Sequence, residues 1–349
     1  MVKRYIKKIL LMFFDKDVEI RNVEKLNVGF YSESFKVTTL IDGEEKEFVV
    51  KIPSGNAPPF IRPVDFLSDY LITIQASNIS KLSPRVLGCY YVDEQGKGFC
   101  ITKPDSFKLF QIQEFKWGYK YLDILVSKSG RKVISPEDRN EIDKIVFLLG
   151  QIHKIVFGGN EERKKALYKR ALLEVITHPK LALSLFSQEL ENSKVFKPPF
   201  RYAYLMEMIK VAEYFGGFYK RLSLIHGDFW SGNILFTREN EVIAVDFSNH
   251  CYGEPGIDVG NFFIELLWQS IIQKNSLYQK LADYFLDKYI EYTGDRFIER
   301  SAVTYIGFAG AICLVERFFP EVPNKKRIKF ANYILNCLKM KKLIRKYEF

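Results

Sequence analysis

The sequence predicts an α+β fold in two lobes, a small antiparallel β lobe with one helix followed by a larger, mainly helical lobe. Alternating apolar and polar residues with turn signals dominate the first third of the chain, whereas apolar residues at helical spacing dominate the rest. The 349 residues are also enough to bury two hydrophobic cores. We therefore expect an N-terminal lobe over residues 1–116 and a C-terminal lobe over residues 117–349.

The N-terminal lobe is expected to begin with an amphipathic helix and to continue as a sheet. Residues 1–14 mix basic and apolar side chains, but their apolar stretch is too short for a signal peptide and no small-residue cleavage site follows it. Beyond residue 18 the pattern predicts a turn near Gly29 and a hairpin around Asp42 and Gly43. One helix and three further strands are predicted over residues 64–77, 84–91, 98–102 and 110–115.

The C-terminal lobe is expected to consist mainly of helices. Apolar residues recur at a helical period over residues 119–126, 135–156, 161–176, 202–220, 261–286 and 300–317, and a basic helical tail ends the chain. The longest apolar run, residues 302–315, is too short for a membrane span and indicates a buried helix. We therefore expect no transmembrane segment.

The positive charge of the chain is concentrated at its two ends. The formal net charge is +10, of which +8 falls in residues 325–349 and +4 in residues 1–16, so the remaining body carries −2. Such termini are typical of solvated helical faces. The alternative interpretation is that the basic tail binds nucleic acid or an anionic surface, which a positive charge confined to the two termini does not by itself imply.

The five cysteines are scattered and include no C-x-x-C pair. This spacing argues against a disulfide framework and against a zinc site. It favours reduced thiols and hence a cytoplasmic protein.

The strongest functional signal is the stretch HGDFWSGN, residues 226–233, followed by VDF. Short apolar runs precede Asp228, follow Asn233 and lead into Asp246. This pattern predicts a strand, a loop and a β-hairpin that together hold the three side chains at one edge. Phosphoryl transfer from a nucleotide requires one carboxylate that orients a hydroxyl, and an amide with a second carboxylate that hold Mg²⁺ on the phosphates. We predict Asp228 as the catalytic residue and Asn233 and Asp246 as metal ligands. The alternative is an ordinary loop in which Gly232 supplies a positive φ.

Nucleotide-binding candidates lie in the N-terminal lobe. Lys51 follows an apolar strand end, where a lysine facing a cleft can hold the α- and β-phosphates, although strand-end lysines are often only solvated. The turn that contains Gly29, Ser32 and Ser34 can lie over phosphates, because glycine permits close approach and both hydroxyls can donate. An ordinary β-turn is the alternative, since a complete G-x-G-x-x-G is missing.

Lys51 should be oriented by a carboxylate on the helix that follows it. No glutamate is present in that helix, and Asp65 and Asp69 are the available acids. We prefer Asp69 from its spacing to the next strand, while Asp65 stays open.

Three further polar residues are expected to support the loop. His226 is predicted to brace the segment around Asp246 through its ring nitrogens, and His153 to make a polar contact in the core. Asp258 stands at a helix start, where it can serve the first turn and accept hydrogen bonds from the backbone of the loop.

With these residues placed, the chain resembles the aminoglycoside phosphotransferase and choline kinase superfamily, whose members are small-molecule kinases with a protein-kinase-like fold. The resemblance spans residues 20–320 and is most specific at residues 226–233 and 245–247. It implies that Asp228 is the catalytic base, that Asn233 and Asp246 bind Mg²⁺, and that Lys51 binds the phosphates of ATP. It also implies an adenine site formed by backbone groups of the connector residues Glu114, Phe115 and Lys116.

The chain departs from the family pattern in three places. Ser32 stands where asparagine is common, an aspartate must pair with Lys51, and Ser248 follows Phe247 where protein kinases carry glycine. None of these changes removes a group that the chemistry requires, so the resemblance implies an active enzyme.

The resemblance implies an ATP- and Mg²⁺-dependent kinase that acts on a hydroxyl of a sugar-like molecule or an amino alcohol, with the ligand in a cleft between lobes. HGDFWSGN is similar to ketosamine kinases, and YGEPGIDVG, residues 252–260, is similar to methylthioribose kinases. A protein Ser/Thr kinase is disfavoured, because eleven residues between Asp246 and Asp258 leave no room for a long activation segment. A non-catalytic kinase-like binding module is disfavoured by the complete set of polar residues.

Overall fold

The structure is a computed structural model that describes residues 2–14, 18–28, 32–53, 82–93, 107–177, 195, 197–247, 252–315, 318–347 and 349. The chain divides into two compact units, Met1–Trp117 and Gly118–Phe349. The strand predicted at residues 98–102 and the helix predicted at residues 64–77 lie outside the described residues.

The N-terminal unit contains a five-stranded antiparallel sheet and a helix. Helix α1 (Val2–Phe14) precedes strands β1 (Val18–Val28), β2 (Ser32–Ile41), β3 (Glu44–Pro53), β4 (Val86–Asp93) and β5 (Phe107–Glu114). The strand order is β1-β2-β3-β5-β4. Asp42 and Gly43, with φ of 55° and 82°, form the tight turn between β2 and β3, as the sequence predicts.

One face of this sheet forms the core of the N-terminal unit. Alternate residues of β2 and β3 are buried together with the apolar side of α1, which confirms the predicted amphipathic helix. The buried side chains are those of Ile6, Ile9, Leu10, Val18, Phe35, Val37, Ile41, Phe48, Val50, Ile52 and Ile112. The polar residues of β2 and β3 therefore occupy the opposite face, since side chains alternate along a strand.

The C-terminal unit is mainly helical. Its helices are α2 (Tyr121–Ser127), α3 (Pro136–His153), α4 (Glu161–Thr177), α5 (Pro198–Phe215), α6 (Gly256–Ile272), α7 (Leu277–Thr293), α8 (Ile298–Ser301), α9 (Val303–Cys313) and α10 (Asn324–Met340). Strands β6 (Gly118–Lys120), β8 (Ile234–Thr237) and β9 (Val242–Ala244) form one small sheet, and β7 (Ser223–Leu224) pairs with β10 (Tyr252–Gly253).

The helix predicted over residues 261–286 is in fact two helices. Helices α6 and α7 are separated by a polar turn in which Lys274 has a φ of 50°. The Asn275 side chain accepts a hydrogen bond from the backbone N–H of Leu277 (2.9 Å) and so starts α7. The four polar residues 273–276 interrupt the apolar spacing at this point, a local signal that the prediction of one helix overlooked.

Helix α9 confirms the predicted buried helix, and it packs closely against α6. A side-chain carbon added at Gly256 or Gly260 would lie 2.3 Å from the carbonyl oxygen of Ser301 or Ala302, respectively. These two glycines therefore permit the contact between the start of α6 and the start of α9. Among the described residues, no helix combines the length and the apolar character needed to cross a membrane.

Part of the basic tail is engaged within the unit, and the interpretation as a solvated face is wrong for one of its cations, Arg327. Arg327 is 1% exposed and donates to the carbonyls of Leu314, Phe319 and Val322. Arg345 pairs with Asp287 and Glu299, at 2.6 Å each. These contacts attach α10 and the chain beyond it to the helical core.

Candidate active site

The stretch HGDFWSGN forms a loop, hereafter the carboxylate loop (residues 226–233), between β7 and β8. Buried apolar residues anchor it on both sides, since Leu224, Ile225, Phe229 and Ile234 are all fully buried. The loop ends in a single 3₁₀ turn, Ser231–Asn233. It therefore presents short polar side chains from a fixed backbone.

Asp258, in the first turn of α6, holds the start of the carboxylate loop. Its carboxylate accepts hydrogen bonds from the backbone N–H groups of His226 (2.7 Å) and Gly227 (2.8 Å). The ring of His153 also contacts it, with Nε2 at 3.0 Å, and Nδ1 of that ring lies 2.6 Å from the Tyr289 hydroxyl. The predicted roles of Asp258 and His153 are thus confirmed.

His226 connects the loop to the segment that carries Asp246. Its Nε2 lies 2.8 Å from the carbonyl oxygen of Val245, and its Nδ1 accepts from the backbone N–H of Asp228 (3.3 Å). The ring also packs on Phe247, with 4.4 Å between ring centroids. This confirms the predicted bracing role and assigns the ring proton to Nε2, because a carbonyl can only accept.

Asn233 is fixed relative to both carboxylates. Its side-chain N–H₂ group donates to the carbonyl oxygen of Asp228 (2.9 Å), which turns the amide oxygen the other way. Its backbone carbonyl accepts from the N–H of Val245 (2.9 Å), one residue before Asp246. The segments that carry the three predicted groups are therefore joined by hydrogen bonds within one unit.

Two backbone positions in this region have a positive φ, Gly227 (83°) and Asp246 (62°). The left-handed conformation is costly for a residue other than glycine, and such strain is concentrated at functional sites. Gly232 has no positive φ, so the loop interpretation was wrong on this point. Its lack of a side chain instead leaves room for the Trp230 ring, which would lie 2.3 Å from an added carbon.

A second acid of α6, Glu265, holds the end of the carboxylate loop. It accepts hydrogen bonds from the backbone N–H of Ser231 (2.7 Å) and from the Ser231 hydroxyl. Withdrawal from water raises the pKa of Glu265 from its ordinary 4.5 to about 7, and the nearby Asp228 carboxylate adds to the rise. The two hydrogen bonds from Ser231 act in the opposite direction.

Sequence reasoning missed Glu265, although a signal was present. It is a lone acid inside the apolar run of α6, with FFI before it and LLW after it. A carboxylate at such a position needs hydrogen-bond partners, because burying it without them is costly. Its spacing of seven residues from Asp258 also places both acids on one face of the helix.

In the N-terminal unit, Lys51 lies on β3, and its side chain is buried. The strand register places it opposite Ser34 of β2 and Gln111 of β5, so these three residues share one face of the sheet. Ser32 begins β2, opposite Pro53. The predicted phosphate-binding residues of β2 and β3 are therefore neighbours, on the face opposite the apolar core.

The same face carries a lysine that the sequence did not single out. The ammonium of Lys36 pairs with Glu47 (2.6 Å) and lies 4.5 Å and 3.8 Å from the ring centroids of Phe115 and Trp117. The Trp117 indole N–H also donates to Glu47 (2.9 Å). These contacts fix the aromatic rings of the predicted connector against the sheet.

The other residues predicted to bind the nucleotide are engaged within the unit, exposed, or outside the described residues. The backbone N–H of Glu114 donates to the carbonyl of Arg85 (2.9 Å), so this donor is already engaged within the unit. Lys116 is exposed next to Phe115. Gly29, and both candidate partners of Lys51, Asp65 and Asp69, lie outside the described residues.

The sequence model of the phosphotransferase enzyme family matches residues 23–297, which is most of the chain. The chain therefore belongs to this family. The matched region includes Lys51, the whole carboxylate loop and Asp246, the residues on which the resemblance was based.

Among curated proteins, the chain is similar to an Arabidopsis thaliana protein named "Probable ethanolamine kinase". The two are 25% identical over 138 residues, which cover 38% of this chain and 35% of that protein. The similarity thus spans about a third of the length of this curated relative.

Two solved structures share the fold. The Plasmodium vivax ethanolamine kinase superposes with a TM-score of 0.55 and 13% identity, covering 96% of this chain and 87% of that one. A thermostable mutant of aminoglycoside phosphotransferase APH(4)-Ia, in a ternary complex with ADP and hygromycin B, gives a TM-score of 0.53 and 14% identity, covering 96% and 98%. The predicted protein-kinase-like fold of a β lobe and a helical lobe is thereby confirmed.

Proposed function

We propose that this phosphotransferase is a kinase that transfers the terminal phosphoryl group of ATP, with Mg²⁺, to a hydroxyl of a small molecule. The arrangement of Asp228, Asn233 and Asp246 carries the proposal, because hydrogen bonds of 2.9 Å hold Asn233 to the Asp228 segment and to the Asp246 segment. An acid, an amide and a second acid held in this way match the requirements of phosphoryl transfer.

The polar groups of the site suit Mg²⁺ rather than a softer metal. The amide oxygen of Asn233 and the carboxylate of Asp246 are hard oxygen ligands, which Mg²⁺ prefers. In the part of the chain that the structure describes, no cluster of three or more His, Cys, Asp or Glu could hold a metal alone. A site with two protein ligands, completed by nucleotide phosphates and water, is the usual one for Mg²⁺ in such enzymes.

Each residue has a defined task in the proposed reaction. Bound Mg²⁺ would neutralise charge that develops on the phosphates. Asp228 orients the acceptor hydroxyl and accepts its proton as the oxygen attacks phosphorus. Lys51 binds phosphate oxygens as a point charge, and Asp258 and His226 keep the loop backbone in place.

For the acceptor, we propose an amino alcohol or a sugar-like molecule. The named relatives are ethanolamine kinases and an aminoglycoside phosphotransferase bound to hygromycin B, and all of these names point to hydroxylated amines. The short sequence similarities to ketosamine and methylthioribose kinases add sugar hydroxyls to the candidates. We also propose that the protein acts in the cytoplasm, which its scattered cysteines support.

The test is ADP production from ATP across a panel of acceptors with and without Mg²⁺. The panel contains ethanolamine, choline, homoserine, methylthioribose, a ketosamine and aminoglycosides. We expect one class to stimulate ADP release, and Asp228→Asn to lower kcat by about 10³-fold or more while nucleotide binding persists. The exposed Asp123→Asn on α2 is the matched control and should keep full activity.

A second variant tests whether Asp246 binds Mg²⁺. Asp246→Asn should abolish the Mg²⁺ dependence of nucleotide binding measured by calorimetry, because it removes a charged metal ligand. Undiminished turnover in Asp228→Asn, or tight Mg²⁺-dependent ATP binding by Asp246→Asn, would refute the assignment of the site.

A further inference from the structure

Glu265 contacts the carboxylate loop at the residue that starts its 3₁₀ turn. Both of its carboxylate oxygens are used, one by the backbone N–H of Ser231 at 2.7 Å and the other by the Ser231 hydroxyl. Ser231 is located between Asp228 and Asn233, three residues after the first and two before the second. A carboxylate that binds both the main chain and the side chain of one residue fixes the position and the direction of that residue.

The contact at Ser231 is passed on to Asn233 through the turn. The backbone N–H of Asn233 donates to the carbonyl of Trp230 (2.9 Å), which closes the turn around Ser231. The Asn233 side chain then donates to the Asp228 carbonyl (2.9 Å). A displacement of Ser231 would therefore move the amide of Asn233 relative to the carboxylate of Asp228.

We propose that Glu265 is a positioning residue of the phosphoryl transfer, whose ionised form holds the Ser231–Asn233 turn and whose protonation releases it. This inference rests on the proposed function, because it assigns Asn233 and Asp228 to the reaction. A protonated carboxyl has one hydroxyl oxygen, which is a poor acceptor, so only one of the two hydrogen bonds from Ser231 keeps its strength. The acid thus makes the geometry of the site depend on pH.

The groups that face Glu265 permit its carboxylate to gain or lose a proton near neutral pH. Among the described residues, the titratable groups that interact with it are Asp228 in the loop, Tyr121 of α2 and Cys313 of α9. Burial raises the pKa of both Tyr121 and Cys313, so these two stay neutral. Asp228 is then the charged neighbour, and it favours the protonated form of Glu265 together with the loss of hydration.

The kinetic test compares kcat as a function of pH in the wild type, Glu265→Gln and Ser231→Ala. In the wild type we expect activity to fall below a midpoint of about 7. In Glu265→Gln the side chain cannot titrate and offers one good acceptor. The fall in kcat below pH 7, the acidic limb of the profile, should therefore disappear. The kcat of this variant at pH 8.5 should be about 10- to 100-fold lower, whereas KM for the nucleotide changes about twofold at most.

Ser231→Ala is expected to shift the acidic limb of the profile and not to remove it. It removes one hydrogen bond to the ionised carboxylate, so the limb should move to higher pH. The exposed Glu291→Gln on α7 is the matched control and should reproduce the wild-type profile. A Glu265→Gln profile that superimposes on that of the wild type, or a loss of kcat with the limb unmoved, would overturn the proposal.

A spectroscopic measurement separates this inference from the proposed function. In protein labelled with ¹³C at the glutamate carboxyl, one resonance should be absent from Glu265→Gln and should titrate near 7 in the wild type. In Ser231→Ala its midpoint should rise. If it titrates near 4.5 instead, the positioning role fails whatever the enzyme does. If it titrates as expected but no acceptor is phosphorylated, the coupling of Glu265 to Ser231 stands and the proposed function fails.

Discussion

The two ends of the carboxylate loop are held by two acids of the same helix in different ways. Asp258 receives two backbone N–H groups and the ring of His153, whereas among the described residues Glu265 receives hydrogen bonds from Ser231 alone and has Asp228 nearby. Two helical turns, about 10 Å along the axis, separate the two acids. At Glu265 burial raises the pKa, and the two hydrogen bonds from Ser231 oppose that rise without cancelling it.

The largest effect is expected at the first anchor. Asp258→Ala leaves two backbone N–H groups and the His153 ring without their acceptor inside the unit. Because hydrogen bonds to charged groups contribute about 1.5–3 kcal/mol each, the free energy of unfolding should fall by about 3 kcal/mol or more. Urea denaturation measures this loss.

The control for this change is a carboxylate on the surface. Asp287→Ala removes the partner of Arg345 at a largely exposed ion pair, so the loss should be below about 1 kcal/mol. If Asp258→Ala costs no more than Asp287→Ala, the first end of the loop is not anchored as described.

An intermediate effect is expected when Asp258 keeps its backbone donors but loses the imidazole. His153→Leu removes the ring that bridges Asp258 and Tyr289, and should cost about 1–3 kcal/mol in unfolding free energy. Tyr289→Phe removes the hydroxyl alone and should cost about 1 kcal/mol. The double variant should lose less than the sum, because both changes remove the same hydrogen bond. Additive losses would show that the bridge contributes nothing.

The last effect concerns the second end of the loop and depends on pH. The raised pKa of Glu265 means that the folded state binds its proton more tightly than the unfolded state does. The contribution of Glu265 to stability is therefore fully present below pH 4.5, and it is lost as the pH rises through about 7. Urea midpoints between pH 4.5 and 8 should show this decline in the wild type.

Glu265→Gln isolates the contribution of this acid, since glutamine does not titrate. The decline between pH 4.5 and 8 should be smaller in the variant by the part that Glu265 causes. Glu291→Gln, an exposed change of the same chemistry, should leave the decline as in the wild type. Equal declines in all three proteins would contradict the assignment.

The difference between Asp258 and Glu265 also shows which roles can be predicted from the sequence. The supporting roles predicted for His226 and Asp258 are confirmed by their hydrogen bonds, whereas the roles of Asp228, Asn233 and Asp246 stay predictions from a short motif and its flanking strands. These residues lie close together in the chain or at a helix start, where local rules apply. The family assignment followed from the same residues.

Glu265 and Lys36 escaped prediction because their partners are distant in sequence. Glu265 binds a residue 34 positions before it, and the ammonium of Lys36 meets the ring of Trp117, far along the chain. The break between α6 and α7 is a different case, because the polar residues 273–276 that mark it are a local signal that the prediction overlooked. A pattern over a short window reports which face of a helix or strand is apolar and not what that face contacts.

Local periodicity and a short motif are enough to predict the fold class, the order of strands and helices in most of the chain, and the chemical groups of the candidate site. The tertiary structure alone decided that Glu265 holds the end of the carboxylate loop and that its pKa is raised to about 7. The reason is physical: a pKa and a hydrogen bond depend on the surroundings of a group in space, and folding brings those surroundings from several separate segments.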